Sequence, residues 1–222
     1  MKQLRRGGEG GLDEPIKQQM ITSTDVHRLT FRAVLPHSII LAVLCVLLQF
    51  YQPHLIYQSN LLWSEPWRLW TAHWVHVGWA HVALNLTALL LLPWIFPTYP
   101  ARRLWLLLLL GCPLLSLLFY LILPNLYDYA GLSGILHGIY FSAAVHALLS
   151  RADRMVALIL LFGLTIKLIF ENWIVGQSSA ELIGAPVLTQ AHYFGVAVVL
   201  LLSGIFGHFS AIQAQSSAQI DK

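Results

Sequence analysis

The chain has 222 residues, of which 57% are hydrophobic and only 10% are charged, and its mean hydropathy is +0.67. An average soluble domain is about 45–50% apolar and about 25% charged. So few charges cannot cover a globule of this size with a water-compatible surface. The composition therefore excludes a soluble single domain, a disordered chain and a fibrous repeat, and it predicts a polytopic membrane protein that is embedded in the lipid bilayer.

The net charge of +3 does not indicate a nucleic-acid partner, because the basic residues lie at the ends of apolar segments rather than in one cluster. They are interpreted as signals of membrane topology. Cys45 and Cys112 both fall inside apolar runs. They are interpreted as buried small hydrophobic residues rather than as a disulfide.

Residues 1–35 are polar and basic and are predicted to form a cytoplasmic N-terminal segment. A hydrocarbon core of ~30 Å takes about 20 apolar residues per helical crossing, and six apolar segments follow. They are predicted as transmembrane helices, which satisfy their own backbone hydrogen bonds in lipid. The segments span about 36–51, 78–96, 103–123, 132–149, 155–170 and 189–209. The predicted fold is therefore all-α, a six-helix bundle over residues 36–209 with a cytoplasmic tail at 210–222.

Lysine and arginine set the predicted orientation of the bundle. Eleven of the thirteen lie before the first span, between spans two and three, between spans four and five, or after span six. By the positive-inside rule, both termini are predicted to be cytoplasmic. The loop over residues 172–188 then lies outside, directly before span six, and is expected to cover a site there.

Several polar side chains interrupt the apolar spans, where they are costly and point to function. Ser133 begins span four, His192 begins span six, and His81 and Asn85 begin span two. These three spans all run from outside to inside, so their first turns share one depth in the outer part of the membrane. The topology alone therefore predicts that the four side chains converge on one pocket.

Such a pocket suits acyl transfer. The Ser133 hydroxyl becomes a useful nucleophile when a base such as His192 takes its proton. A helix start favours a developing oxyanion through its free N–H groups and its positive dipole end. His81 and Asn85 are spaced i,i+4 on one helix face and can add donors.

No carboxylate is expected beside His192, since Asp128 and Glu181 are assigned to loops. Lys167, with Glu171 at i+4, is interpreted as a paired or snorkelling lysine. The sequence thus predicts a serine–histidine dyad rather than a triad.

Small residues lie before and after each of the two candidate catalytic side chains. Gly131 and Gly134 lie on either side of the serine, and Gly134 and Gly138 form a small face on span four. Ala191 and Gly195 form the matching face on span six. Small faces allow helices to approach closely, which a direct hydrogen bond between the two side chains requires.

Three further histidines lie near this region. His137, one turn below the serine on the same face, is interpreted as a packing or hydrogen-bonding residue, or as one that tunes the site. His73 and His76 precede span two and are interpreted as loop-stabilising.

Five motifs occur in a fixed order along residues 36–209. They are Glu65-Pro66-Trp67-Arg68, His76, His81-Val82-Ala83-Leu84-Asn85, Gly131-Leu132-Ser133-Gly134 and Ala191-His192-Tyr193-Phe194-Gly195. The ordered set resembles the rhomboid family of intramembrane serine proteases. The resemblance implies that Ser133 is the nucleophile and His192 the general base, and that His81, Asn85 and the Ser133 backbone N–H form the oxyanion site. It implies no cofactor.

The run from Gly131 to Gly138, without a seventh span, is most similar to the rhombosortase subgroup. That resemblance implies a bacterial inner-membrane protein. The implied substrates are membrane-anchored proteins whose C-terminal sorting tail has a Gly-Gly motif, one apolar helix and a basic end. Val199 departs from the family, which often has a second glycine there, and this leaves open how closely the lower parts of spans four and six pack.

Two other classes of function compete with a protease. Ten histidines could indicate a haem- or metal-binding membrane protein, yet the intramembrane histidines are predicted to have no nearby carboxylate or thiolate set, so no metal is predicted. An inactive rhomboid-like protein that binds client helices would not need Ser133 and His192. The sequence leaves open whether water or an amine acceptor would resolve an acyl-enzyme.

Overall fold

The computed structural model describes residues 23–151, 153–171 and 176–204, and its regular elements in these ranges are helices apart from one short pair of strands. The helices are α1 (Ser23–Gln49), α2 (Gln52–Leu55), α3 (Arg68–Thr71), α4 (Trp79–Ile95), α5 (Ala101–Leu106), α6 (Cys112–Ile122), α7 (Ser133–Leu149), α8 (Arg154–Phe170), α9 (Gly176–Ile183) and α10 (Gln190–Gly204). The strands β1 (Tyr57–Gln58) and β2 (Asp128–Tyr129) pair antiparallel. The predicted helical class is confirmed.

Each of the six predicted spans coincides with helix in the described residues, which for the sixth span end at residue 204. One continuous helix, Ala101–Ile122, is long and apolar enough to cross a membrane by length and composition. Four apolar helices are shorter: Val34–Gln49, Trp79–Ile95, Ser133–Leu149 and Gln190–Gly204. The number of crossings and the side on which the termini lie stay predictions.

Helix α1 begins at Ser23 and carries Pro36 in its interior, so the first helix extends into the predicted N-terminal segment, whose boundary at residue 35 stays a prediction. Residues 1–22 and the predicted tail at 210–222 lie outside the described residues.

Two further local features differ from the prediction. The third span contains a π-helical turn over Leu107–Gly111, between α5 and α6. At its end, a Cβ on Gly111 would lie 2.6 Å from the Cδ1 atom of Ile135 in α7. Because Gly111 has no side chain, the third span can approach α7 closely at this turn. The predicted outer loop at 172–188 contains a short helix, α9.

Helix α7 lies at the centre of the bundle. It packs against α4, α6, α8 and the π-helical turn, and its buried residues are distributed around its circumference. Helix α8 is peripheral: among its residues Ala157 is the one that is fully buried, while Phe162 and other large apolar side chains are exposed. Ser133 is thus the first residue of the most enclosed helix.

A network in the connection between α1 and α4 supports the chain that leads into α7. Arg68 is buried, and its Nε donates to Glu65 Oε2 at 2.7 Å while its Nη1 donates to the Ile56 carbonyl at 2.7 Å. The β1–β2 pair then joins this loop to residues 128–129. The Glu65–Arg68 motif therefore organises the loop beside the start of α7.

His73 attaches the same loop to α6. Its Nε2 lies 2.9 Å from the Ser116 hydroxyl oxygen, and that hydroxyl donates in turn to the Leu69 carbonyl. Because the Ser116 proton is used in this way, His73 Nε2–H is the donor in the first contact. The ring also packs against Tyr129. These contacts agree with the loop-stabilising role interpreted from the sequence.

We predict that acid destabilises the fold through His73. Burial lowers the pKa of His73 to about 4, whereas an unfolded histidine titrates near 6.5. The neutral His73 side chain therefore makes its full contribution to the free energy of unfolding above pH ~6.5. This contribution is lost as the pH falls towards 4, and at pH 5 the loss is about 2 kcal/mol. The measurement is the thermal unfolding midpoint in detergent at pH 7.5 and pH 5.

The control for this prediction is H73Q, whose side-chain amide keeps a donor towards Ser116 but does not titrate. It should lose less of its unfolding midpoint between the two pH values than wild type does. An equal loss in the two proteins would assign the acid sensitivity to other groups.

Candidate active site

Ser133 and His192 meet although they are far apart in sequence. Ser133 is the first residue of α7, and His192 lies in the first turn of α10. The Ser133 Oγ atom is 3.0 Å from His192 Nε2, and the imidazole side chain is only 5% exposed. The structure thus brings these two side chains within hydrogen-bonding distance inside the protein, as the predicted pocket requires.

Glycines allow this meeting because α7 and α10 touch along their backbones. A Cβ on Gly195 would overlap the Gly134 carbonyl, and one on Gly138 would overlap the Gly195 carbonyl. Val199 is fully buried one turn further along α10, and its methyl group also faces Gly138. The lower contact, which the sequence left open, is therefore close, because Gly138 leaves room for the valine.

Gly131 fixes the turn that leads into Ser133. Its φ of +145° is a conformation that L-residues rarely adopt. Its N–H donates to the Ala72 carbonyl at 3.0 Å, and its own carbonyl accepts from the Tyr129 hydroxyl at 2.7 Å. A Cβ here would lie 2.7 Å from His81 Cε1. Backbone conformation and crowding therefore both require glycine at this position.

His81 and Asn85 border the serine from α4, and both are buried. The His81 ring faces Gly131, while Asn85 lines the same cavity as Ser133. Asn85 Nδ2 donates to the His81 carbonyl at 3.1 Å, which uses one of its two N–H donors. The donors of these two side chains and the free N–H groups at the start of α7 therefore lie in the region from which Ser133 begins its helix.

His137 supports the imidazole of His192. The two rings are stacked, with centroids 4.0 Å apart and planes 21° apart. His137 Nδ1 lies 2.7 Å from the Ser133 carbonyl and must donate to it. His137 thus packs and hydrogen-bonds as the sequence suggested.

Glu171 is the site residue that the sequence analysis missed. Its carboxylate oxygens both lie 2.8 Å from His192 Nδ1, and Lys167 Nζ donates to Oε1 at 2.6 Å. The expectation that no acid lies beside His192 is therefore wrong, although the predicted pairing of Lys167 with Glu171 is confirmed. The sequence contains a positional signal, because Glu171 follows the predicted outer end of span five, at the depth where span six is predicted to begin.

An apolar cavity of about 440 Å³ extends from Ser133 and His137 along α7, between α4 and α8. Its walls include the small residues Ala88, Ala144 and Gly163. The cavity therefore offers the serine hydroxyl to an apolar group that approaches between these two helices. Within the described part of the chain, no three histidine, cysteine, aspartate or glutamate side chains cluster as metal ligands would.

The described residues thus form a bundle of packed apolar helices with an internal serine–histidine pair. Residues 64–209 match the family model of the Rhomboid domain. This is more than half of the chain, which therefore belongs to the rhomboid family, whose members are serine intramembrane proteases that act on membrane-anchored substrates. Searches of curated proteins and of solved structures gave no match.

We predict that G195A separates α7 from α10 and weakens the site. The added methyl group would meet the Gly134 backbone, which cannot rotate away as a side chain can. Overpacking of this kind costs about 1–3 kcal/mol or more. The unfolding midpoint in detergent should fall, and so should the rate at which a fluorophosphonate labels the protein.

The matched control for stability is G163A, since a Cβ on Gly163 would have no neighbour within 4 Å. Its unfolding midpoint should stay at or slightly above that of wild type. If G195A were as stable as G163A, the backbone contact would not hold the two helices together.

Proposed function

We propose that this protein is an intramembrane serine endopeptidase, with Ser133 as nucleophile and His192 as general base. The observation that carries the proposal is the 3.0 Å contact between Ser133 Oγ and His192 Nε2. It joins a nucleophile to its base in a buried site, which is the arrangement that activates a serine hydroxyl. Membership of the rhomboid family supports the same activity.

In the first half of the reaction, Ser133 Oγ attacks the scissile carbonyl carbon and its proton passes to His192 Nε2. The carbonyl oxygen becomes an oxyanion in the tetrahedral intermediate. When the intermediate collapses, the C–N bond breaks and the His192 proton moves to the leaving amine. The product of this half is an ester between Ser133 and the substrate acyl group.

In the second half, a water attacks the ester and gives its proton to His192 Nε2. The ester bond breaks, the new carboxyl group leaves, and the proton returns to Ser133 Oγ. Hydrolysis is the simpler outcome, and an amine in place of water would give transfer to that amine with the same proton movements.

The oxyanion would be stabilised by donors already in place. The Ser133 backbone N–H lies at the start of α7, where the helix dipole favours negative charge. His81 and Asn85 face the same region from α4 and are buried. Donors fixed before the reaction need no rearrangement when charge develops, and the loss of one typically costs about 10²–10³ in rate.

The cavity between α4 and α8 supports a membrane-anchored substrate. It is lined mainly by apolar residues and ends at Ser133 and His137, so an apolar helix segment could lie in it while its outer end reaches the serine. The exposed apolar side chains of α8 allow such a segment to approach from lipid. The protein would cross a bacterial inner membrane six times, with both termini in the cytoplasm. Cleavage would then occur near the periplasmic face of that membrane.

We propose further that the substrates carry a C-terminal sorting tail with a Gly-Gly motif, as the rhombosortase-like sequence features suggest. Glycine weakens a helix by about 1 kcal/mol per residue relative to alanine. A glycine pair at the end of a membrane helix would therefore leave the peptide bond extended and open to attack. Apolar side chains of the helix that follows would remain in the cavity.

The first test replaces the nucleophile. S133A should lose at least about 10³ in cleavage rate and should no longer be labelled by a fluorophosphonate, because no hydroxyl remains to attack. The matched control is S150A, at the exposed end of the same helix, which should keep wild-type rates. Equal labelling of S133A and wild type would reject the assignment, and a wild type that is never labelled would favour helix binding without catalysis.

The second test concerns the Gly-Gly motif of the proposed sorting tail. A secreted reporter carrying a Gly-Gly tail and a twin carrying Ala-Ala at the same two positions are presented to the purified protein in lipid vesicles. Two glycines change helix stability by about 2 kcal/mol, so the alanine twin should be cleaved up to about 30-fold more slowly. Equal cleavage of the two tails would remove the glycine motif from the recognition signal.

A further inference from the structure

The imidazole of His192 lies between a hydroxyl and a carboxylate. Its Nε2 faces Ser133 Oγ at 3.0 Å, and its Nδ1 faces both carboxylate oxygens of Glu171 at 2.8 Å. An ionised carboxylate can only accept hydrogen bonds, so Nδ1 must carry the ring proton. Nε2 is then the bare nitrogen that can take a proton from the serine.

We propose that Glu171 is a positioning residue for this reaction, a proposal that rests on the protease function argued above. Glu171 holds His192 in the tautomer that can accept the Ser133 proton, and it stabilises the imidazolium that forms. It remains a carboxylate throughout, since the proton on Nε2 travels between the serine, the leaving amine and water. The site is therefore a Ser133–His192–Glu171 triad rather than the dyad that the sequence predicts.

Lys167 makes a buried carboxylate tolerable at this position. The Glu171 side chain is 0% exposed, and an unpaired charge there would be very costly. Lys167 precedes Glu171 by one helical turn; its Nζ is 2.6 Å from Oε1, and its side chain is 35% exposed. The amine can therefore stay charged near the surface while it neutralises the carboxylate.

The charges also balance during the reaction. At rest the site holds the Lys167 cation and the Glu171 anion. When Ser133 attacks, the His192 imidazolium and the oxyanion appear together, so the site then holds two cations and two anions. A site that remains neutral overall avoids a large charging cost in surroundings of low dielectric constant.

The fold fixes the positions of both the Glu171 carboxylate and the His192 imidazole. Glu171 directly follows α8, and Tyr193 directly follows His192 in α10. The Tyr193 hydroxyl donates to the Leu168 carbonyl at 2.7 Å, which ties the end of α8 to the start of α10. The carboxylate and the imidazole therefore face each other from two helix ends that are already joined.

A purely structural reading treats Glu171 as no more than the counter-ion of Lys167. Substitution of both residues separates the two readings, because it removes the ion pair without leaving an unpaired buried charge. The structural reading expects activity to survive such a substitution, whereas a positioning role expects it to be lost.

The experiment uses the purified full chain in lipid vesicles and compares wild type, S133A, E171Q, E171D and K167M/E171Q. Cleavage of the Gly-Gly reporter gives kcat and KM, a fluorophosphonate gives the labelling rate, and the unfolding midpoint reports on folding. The glutamine amide can donate to Nδ1 and so favours the wrong tautomer. E171Q should therefore lose at least about 100-fold in kcat, with KM within about threefold of wild type.

The other variants complete the expected pattern. E171D keeps a carboxylate and should recover at least about tenfold in kcat over E171Q. K167M/E171Q remains informative if E171Q does not fold, and it should be as slow as E171Q in cleavage and labelling. A double variant, or a folded E171Q, with kcat within threefold of wild type would overturn the proposal.

Two further outcomes are equally decisive. A loss of activity that follows a fall in the unfolding midpoint, with raised KM and no recovery in E171D, would also overturn it, because that pattern indicates a structural ion pair. If wild type neither cleaves nor is labelled and so equals S133A, the protease function itself fails. The failure of the triad and the failure of the protease assignment are thereby distinguished.

Discussion

The direct backbone contact between α7 and α10 is the constraint on which the rest of the site depends. A serine side chain is short, so its hydroxyl can reach an imidazole on another helix only where the two helix axes lie unusually close. Gly134 and Gly195 provide this approach, since neither has a side chain to separate the backbones. Apolar surface gives little drive for helices to associate in lipid, and close packing takes its place. The same contact therefore stabilises the bundle and aligns the two reactive groups.

The polar groups around the serine are held before any substrate arrives. His137 donates to the Ser133 carbonyl, Asn85 donates to the His81 carbonyl, and Glu171 accepts from Lys167. A buried polar group without a partner would be costly, so each of these contacts also fixes a side-chain position. An active site assembled in this way needs little reorganisation as charge develops, which is the condition for efficient stabilisation of a transition state.

The sequence was sufficient for the features that follow from hydropathy and topology. The apolar segments gave the helices, and the shared depth of three helix starts brought Ser133 and His192 to one pocket. Glu171 was missed because its i,i+4 spacing from Lys167 already explained it as the partner of that lysine. The same carboxylate has two oxygens and can serve two partners, so a local pairing did not exclude a contact with His192. The π-helical turn at Leu107–Gly111 could not be predicted, because nothing in an unbroken leucine run marks a change of helical winding.

The position of the polar groups along the cavity bears on how the tail of a proposed substrate would be recognised. Around Ala88, Ala144 and Gly163 the cavity is apolar, whereas Ser133 and Lys167 lie towards its other end. A tail whose apolar helix follows its glycine motif matches this gradient, because the helix can stay in the apolar part while the glycines reach the serine. An apolar helix alone would fill the cavity but would present an intact helical backbone at Ser133. With the proposed substrates, the cavity would select for hydrophobicity, and the ease of unwinding near Ser133 would select the bond that is cut.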